Sequence, residues 1–127
     1  MSDHTSGSDI DNAALLNRCG IYLINLDRSS DRLLSAERYF NAIGLPFERI
    51  VAIDASKEDL SVFPIDRKAF RRTHGRETIR AGEIGCYFSH LRALRTFLAG
   101  EREFGIILED DVLPQKQLLT VLEELFL

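Results

Sequence analysis

The sequence has no tryptophan, one methionine, three prolines and two cysteines in 127 residues. Two cysteines are too few for a disulfide scaffold or a zinc site of four thiolates, so we expect Cys19 and Cys86 to be free, buried thiols. The apolar runs are far shorter than the roughly 20 residues that a membrane-spanning helix needs. With 45% apolar and 28% charged residues, the composition predicts a globular domain.

The charge balance and the first residues bear on partners and location. The net charge of −4 argues against a general nucleic-acid-binding protein, so no nucleic acid partner is expected. The first residues are polar and acidic and lack the basic and apolar regions of a signal peptide, which predicts a cytoplasmic location. We expect residues 1–14 to form a flexible tail and residues 15–127 to form one domain.

Apolar segments and helical patterns alternate along the rest of the chain. Strands are predicted at residues 20–26, 47–53 and 104–108. Helices are predicted from a cap at Ser29 or Ser30 to residue 43, over residues 82–99 and over residues 115–126. Strands that alternate with helices of this length predict an α/β fold with a mostly parallel sheet and flanking helices.

Two of the predicted helices have clear ends and an apolar face. Asp31 lies in the first turn of one helix, where the dipole favours a carboxylate, and Gly44 follows its last residue. Gly100 follows the other helix. In that helix we expect one apolar stripe to face the core, made of Ile84, Tyr87, Phe88, Leu91, Leu94 and Leu98.

A polar insertion at residues 55–80 shows no clear periodicity. Between positions 67 and 80 it has six basic residues and one acid, Glu77. We interpret this stretch as a mobile, solvated segment. The alternative is a patch that meets anionic lipid or a phosphorylated sugar.

Three carboxylates, Glu109, Asp110 and Asp111, directly follow the third predicted strand. Because neighbouring like charges repel, such a run is tolerated best where a cation shares the site. Side chains alternate along an extended segment, so Glu109 and Asp111 should face one side and Asp110 the other. Hard carboxylate oxygens suit Mg²⁺ or Mn²⁺. The alternative is a solvated acidic turn.

A polar segment, Asn25-Leu26-Asp27-Arg28-Ser29-Ser30-Asp31-Arg32, lies at the carboxyl end of the first predicted strand. Ligands of open α/β sheets bind outside the carboxyl ends of the strands, where the strand order reverses. If strands two and three flank strand one, that crevice lies between residues 25–28 and 109–111, and Arg28 could meet a phosphate. The alternative is a polar turn with a helix cap.

Glycines 82 and 85 begin the helix that contains Cys86, Ser89 and His90. Glycine at a helix start lets a ligand or another backbone approach closely. We expect Ser89 and His90 to lie away from much of the apolar stripe. Cys86 and His90 are four residues apart and could form a nucleophile pair, but a small packing role for Cys86 is favoured.

Together these segments resemble glycosyltransferase family 25, the bacterial lipooligosaccharide glycosyltransferases, which are mostly galactosyltransferases and are related to collagen galactosyltransferase domains. The segments that match are residues 21–28, 47–54, 82–86, 89–90 and 108–111. In this order and spacing they are specific.

The resemblance implies a GT-A-like, Rossmann-like fold, a UDP-sugar donor such as UDP-galactose, and a lipooligosaccharide or LPS core acceptor. Glu109 and Asp111 would take the acidic positions of a DxD-like motif and hold Mn²⁺ or Mg²⁺, while Asp110 would contact the donor together with Glu109. Residues that would line the nucleotide pocket are Asn25, Asp27, Arg28 and Asp54. Ser89 and His90 would lie near the donor sugar or pyrophosphate.

Members of that family continue past the acidic motif into segments that supply the acceptor site and the catalytic base. We therefore expect a C-terminally truncated, donor-binding half without transferase turnover. It should self-associate through its last helix or open strand edge, or be marginally stable. It could also contact the cytoplasmic face of the inner membrane. Two alternatives stay open: an inactive nucleotide-sugar-binding fragment and a small α/β interaction module.

Overall fold

A computed structural model of the chain describes residues 7–111 and 117–127. The strands are β1 (Cys19–Asn25), β2 (Glu48–Val51) and β3 (Phe104–Glu109). The helices are α1 (Gly7–Arg18), α2 (Ser30–Ile43), α3 (Arg67–His74), α4 (Ala81–Ala99) and α5 (Leu118–Phe126). The strands form a parallel sheet in the order β2-β1-β3. The α/β class, the parallel sheet and the flanking helices are therefore confirmed.

The central strand β1 is buried on both faces, as its continuous apolar sequence predicts. Ile21 belongs to a cluster with Phe40 of α2 and Leu122 of α5. Its neighbour Tyr22 belongs to a second cluster, with Ala93 of α4. Successive side chains point to opposite faces of a strand, so the short apolar run of β1 supplies both layers of the core. The edge strand β3 is only half-buried, although its sequence predicted a buried strand.

Helix α2 matches its predicted bounds. It ends at Gly44, whose φ of 72° is left-handed, and the Gly44 N–H donates to carbonyls of the last turn. Asp31 lies in the first turn as expected. Ser29 occupies the N-cap position, but its side chain makes no capping hydrogen bond, so that part of the prediction is wrong.

The expected flexible tail is helical from Gly7 onward, where it forms the first part of α1. Leu15 is only 1% exposed and packs in the cluster beneath α2 and α5. The Asn12 side-chain amide donates to the Gly44 carbonyl at 3.2 Å. These tertiary contacts explain why a polar, acidic stretch forms a helix that its composition did not predict. Residues 1–6 lie outside the described residues.

Only part of the apolar stripe expected on α4 packs against the core. Tyr87, Leu94 and Leu98 are exposed. Ile84 of the stripe is buried as expected, and the other buried residues of α4 are Gly85, Ser89 and Ala93. A methyl group on Gly85 would lie 2.6 Å from the carbonyl oxygen of Ile53. Because α4 lies this close to the backbone after β2, small residues rather than the large apolar residues of the stripe occupy the contact.

The insertion contains α3, which the sequence pattern did not predict because the helix has only eight residues. The Asp66 carboxylate caps α3 by accepting from the Ala69 N–H at 2.9 Å. Phe70 packs beside Ile79 and Ile84, which ties the insertion to α4. The basic side chains of α3 are exposed, in agreement with a solvated surface.

Helix α5 begins at Leu118, and residues 115 and 116 of the predicted helix lie outside the described residues. Leu122 is buried against α1 and the sheet, whereas Val121, Leu125 and Leu127 are exposed. Self-association through this face stays a prediction. Among residues 7–111 and 117–127, the helices are all too short or too polar to cross a membrane.

Candidate functional site

A cleft of about 310 Å³ opens at the carboxyl ends of β1 and β3. Since β2 and β3 lie on opposite sides of β1, the strand order reverses here, and the predicted position of the crevice is confirmed. The start of α4 forms its opposite wall. Polar and charged side chains that line the cleft are Arg28, Arg32, Asp54, Ser56, Cys86, Ser89, His90, Glu109, Asp110 and Asp111.

The acidic run at the end of β3 presents its side chains in two directions. Glu109 Oε1 accepts a hydrogen bond from the Cys86 thiol of α4 at 3.2 Å. Asp110 Oδ2 instead accepts from the Asn25 amide at 2.7 Å, and its other oxygen lies 3.3 Å from an Arg32 nitrogen. Glu109 and Asp110 therefore contact different elements, although both line the cleft, and the expected alternation of the three side chains stays a prediction. Asp111 also lines the cleft.

Asn25 does not line the cleft but holds Asp110 of the acidic run through a hydrogen bond. Its side chain is part of the core, with 1% of the residue exposed. The Asn25 amide nitrogen donates to Asp110 and to the Ser29 carbonyl at 3.0 Å, while its oxygen accepts from Arg49 Nε at 3.0 Å. A buried amide with all these partners holds β1, the following turn and Asp110 in one arrangement.

Asp27 is directed away from the cleft. Its side chain is 81% exposed and pairs with Arg49 at 2.8 Å. It borders an adjoining surface depression, which shares Arg28 and Asp54 with the cleft. The structure therefore does not bring Asp27 together with the acidic run.

Arg28 and Asp54 form an ion pair across the mouth of the cleft. Hydrogen bonds from the Ser56 hydroxyl and backbone, together with the nearby charge of Arg28, hold the pKa of Asp54 below its ordinary value. Asp54 is thus a carboxylate at neutral pH. The Arg28 side chain is 57% exposed, which leaves its guanidinium accessible to a ligand.

Ser89 and His90 both border the cleft but differ in role. Ser89 is 1% exposed, and its hydroxyl accepts the Ile53 N–H at 2.9 Å, so it joins α4 to the segment after β2. His90 Nδ1 lies 2.8 Å from the Cys86 carbonyl, an acceptor, so this nitrogen carries the proton. Ser89 belongs to the packing face of α4, whereas much of the apolar stripe from which it was expected to lie apart is exposed.

Cys86 was expected to be buried, but the residue is exposed in the cleft; Cys19 is buried as expected, and both thiols are free. Partial desolvation of the Cys86 thiol, reinforced by its hydrogen bond to Glu109 and by the charges of Glu109 and Asp111, raises its pKa. The thiol therefore stays protonated at neutral pH. Although its sulfur lies 3.7 Å from His90 Nδ1, this arrangement does not favour a nucleophile pair.

The sequence pattern assigned no role to Arg32, the last residue of the polar segment after β1, or to Ser56, although both line the cleft. Arg32 lies in the first turn of α2, where the positive end of the helix dipole disfavours a cation. A basic residue at such a position, directly after the segment 25–28, is a signal that could have identified it. Ser56 had no comparable signal, because its place depends on the turn after β2.

Two overlapping sets of side chains could hold a cation. Glu109 and Asp111 offer hard oxygen ligands of the kind that Mn²⁺ and Mg²⁺ prefer, which fits the expected metal. In addition, ligand atoms of Cys86, His90 and Glu109 all lie within 4.8 Å of one another. Four carboxylates and two arginines line the cleft, so its net charge is negative. An anion can therefore bind there only through the two arginines or through a bound cation.

Comparison with known proteins gives a family match. The sequence model described as "Glycosyltransferase family 25 (LPS biosynthesis protein)" matches residues 19–127. A "Glycosyltransferase 25 family member" of Drosophila pseudoobscura pseudoobscura is 33% identical over 98 residues, which cover 72% of this chain and 15% of that protein. Proteins with the same description match from Anopheles gambiae, at 27% identity over 96 residues, and from Drosophila melanogaster, at 32% over 98 residues.

Each of those alignments covers 72% of this chain and 16% or less of the relative, so the chain spans a small part of the relatives' length. No solved structure gives a significant match.

Proposed function

Because this chain belongs to glycosyltransferase family 25, we propose that it takes part in the transfer of a hexose, galactose, from a UDP-sugar to a lipooligosaccharide or LPS core acceptor. The cleft at the ends of β1 and β3 binds the donor. The LPS acceptor is supported by the family description alone. The observation that supports the donor site most is the meeting of the acidic run with Arg28 and Arg32 where the strand order reverses.

The charge of the cleft supports a metal-dependent donor. Four carboxylates and two guanidinium groups line it, so a diphosphate that enters alone meets net repulsion. A divalent ion on Glu109 and Asp111 would cancel that excess of negative charge, and oxygens of the diphosphate would be able to complete its coordination. When bound, Mn²⁺ or Mg²⁺ supplies Lewis-acid stabilisation of the leaving diphosphate.

Other side chains of the cleft position the donor. Arg28 exchanges its contact with Asp54 for a phosphate oxygen, a charge-assisted bond of similar kind. Asn25 and Arg32 keep Asp110 in place, and Asp110 faces the nucleotide. His90 lies on the α4 wall, near the donor sugar or pyrophosphate.

The proposal is tested by donor selection. Calorimetry in the presence of Mn²⁺ should show binding of UDP-galactose and none of GDP-mannose at the same concentration. Incubation with labelled UDP-galactose and a lipooligosaccharide acceptor then separates a transferase from an inactive nucleotide-sugar-binding fragment. If neither UDP-galactose nor UDP binds, the chain is better described as a small α/β interaction module.

The exposed basic residues of α3 support a second part of the proposal, in which the reaction takes place at the cytoplasmic face of the membrane and α3 contacts the lipid. Exposed basic residues of α3 are Arg67, Lys68, Arg71 and Arg72. Anionic lipid attracts each such residue by about 1 kcal/mol when the residue lies near the membrane surface. Arg71 is partly neutralised by Glu77, at 2.9 Å.

Flotation with phosphatidylglycerol-containing vesicles at low salt should recover the protein with the lipid. Substitution of Lys68 and Arg72 by glutamine should weaken this partitioning roughly thirtyfold, since two charges are worth about 2 kcal/mol. The matched control replaces Arg95 and Arg102, which are exposed outside α3, and should change it little. Absence of flotation at low ionic strength would leave α3 as an ordinary solvated helix.

A further inference from the structure

Three side chains of different chemistry meet on the α4 wall of the cleft. Cys86 and His90 lie one helical turn apart on α4 and so present their side chains on the same face, while Glu109 ends β3. The Cys86 sulfur is 3.2 Å from Glu109 Oε1 and 3.7 Å from His90 Nδ1. One ligand atom from each residue lies within 4.8 Å of the other two.

We propose that Cys86, His90 and Glu109 form a zinc site. A tetrahedral zinc ion, with bonds of about 2.3 Å to sulfur and about 2.0 Å to nitrogen or oxygen, holds its ligand atoms roughly 3.5 Å apart. The 3.2 Å between the Cys86 sulfur and Glu109 Oε1 is close to that value. A thiolate and an imidazole favour zinc, whereas Mn²⁺ and Mg²⁺ prefer oxygen ligands alone.

The surroundings of His90 give independent support. Its Nδ1–H donates to the Cys86 carbonyl at 2.8 Å, which orients the ring and leaves the lone pair on Nε2. Zinc-binding histidines commonly donate their other ring N–H to a backbone carbonyl in this way. All three residues line the cleft, which gives the ion a route of entry.

Binding replaces the present hydrogen bond between the Cys86 thiol and Glu109 by bonds from both groups to the ion, and the thiol proton goes to solvent. Three protein ligands leave the fourth position to water or to a molecule in the cleft. The zinc site does not depend on the proposed donor. One consequence does rest on it: because Glu109 serves both ions, zinc should oppose the Mn²⁺-dependent binding of UDP.

The site can be tested on the full chain with Co²⁺, which replaces zinc and gives a near-ultraviolet thiolate-to-cobalt absorption. We expect that absorption to saturate at one equivalent and to be displaced by Zn²⁺. Cys86→Ser should abolish it, whereas Cys19→Ser should retain it because Cys19 is buried outside the cleft. His90→Ala should weaken zinc binding by at least about tenfold, since loss of even an outer-shell partner costs that much. His74→Ala, on exposed α3, should not.

Circular dichroism of each variant verifies that the fold is intact before the titrations are compared. A wild-type protein that shows no thiolate-to-cobalt absorption, or a Cys86→Ser variant that retains it, would overturn the zinc site. Asp111→Asn should keep zinc binding, because Asp111 is not one of the three ligands. Zinc binding that leaves Mn²⁺-dependent UDP affinity unchanged would overturn the shared role of Glu109, while UDP binding that is absent altogether concerns the proposed donor.

Discussion

Replacement of Asp111 by asparagine should remove the Mn²⁺-dependent part of UDP binding. The asparagine keeps the size of the side chain but removes the charge that balances a divalent ion. Wild-type protein should bind UDP with Mn²⁺ and lose at least about tenfold in affinity after chelation with EDTA. Asp111→Asn should bind UDP equally weakly with and without Mn²⁺, as measured by isothermal titration calorimetry.

Two further variants make this result specific to the proposed ion. Glu109→Gln should lower the affinity as Asp111→Asn does, because both carboxylates are ligands in the proposal. Glu124→Gln removes the same charge from an exposed position on α5, away from the cleft, and should leave UDP binding unchanged. Equal UDP affinity with and without Mn²⁺ in the wild type, together with a harmless Asp111→Asn, would mean that the acidic run is a structural turn.

Substitution of Gly85 by alanine should destabilise the protein by about 1–3 kcal/mol, the range for overfilled packing. Alanine favours a helix over glycine by about 1 kcal/mol, so local propensity alone predicts the opposite sign. The added methyl group, however, would lie 2.6 Å from the Ile53 carbonyl oxygen, and backbone cannot rotate away as a side chain can. Helix α4 would have to move outward, which weakens the Ser89–Ile53 hydrogen bond and widens the cleft.

Gly82→Ala is the matched control, since Gly82 lies in the same helix and has open space where a methyl group would be added. This variant should be as stable as the wild type or more stable by up to about 1 kcal/mol. Urea denaturation of the three proteins measures both effects. A Gly85→Ala variant that gained stability as Gly82→Ala does would show that α4 does not pack as closely on the β2 end as described.

Short-range signals were sufficient for the elements whose sequence pattern and environment agree. The continuous apolar residues of β1, the Gly44 end of α2 and the acidic end of β3 each predicted what the structure contains. Helices α1 and α3 were not predicted, because α1 begins in a polar stretch and α3 is short. Both owe their place to packing by Leu15 and Phe70, which a local pattern does not reveal.

The sequence by itself determined the α/β class and the position of the acidic run after β3, because these depend on residues close together in the chain. It also determined the resemblance to its family, which depends on the order and spacing of short segments. Tertiary structure alone decided which of the candidates meet. Asn25 reaches Asp110 across 85 residues of sequence, and Cys86 reaches Glu109 across 23. Such contacts follow from the strand order β2-β1-β3 and from the close approach of α4 at Gly85, which local periodicity does not specify. For that reason Asp27 does not line the cleft, whereas Arg32 and Cys86 do.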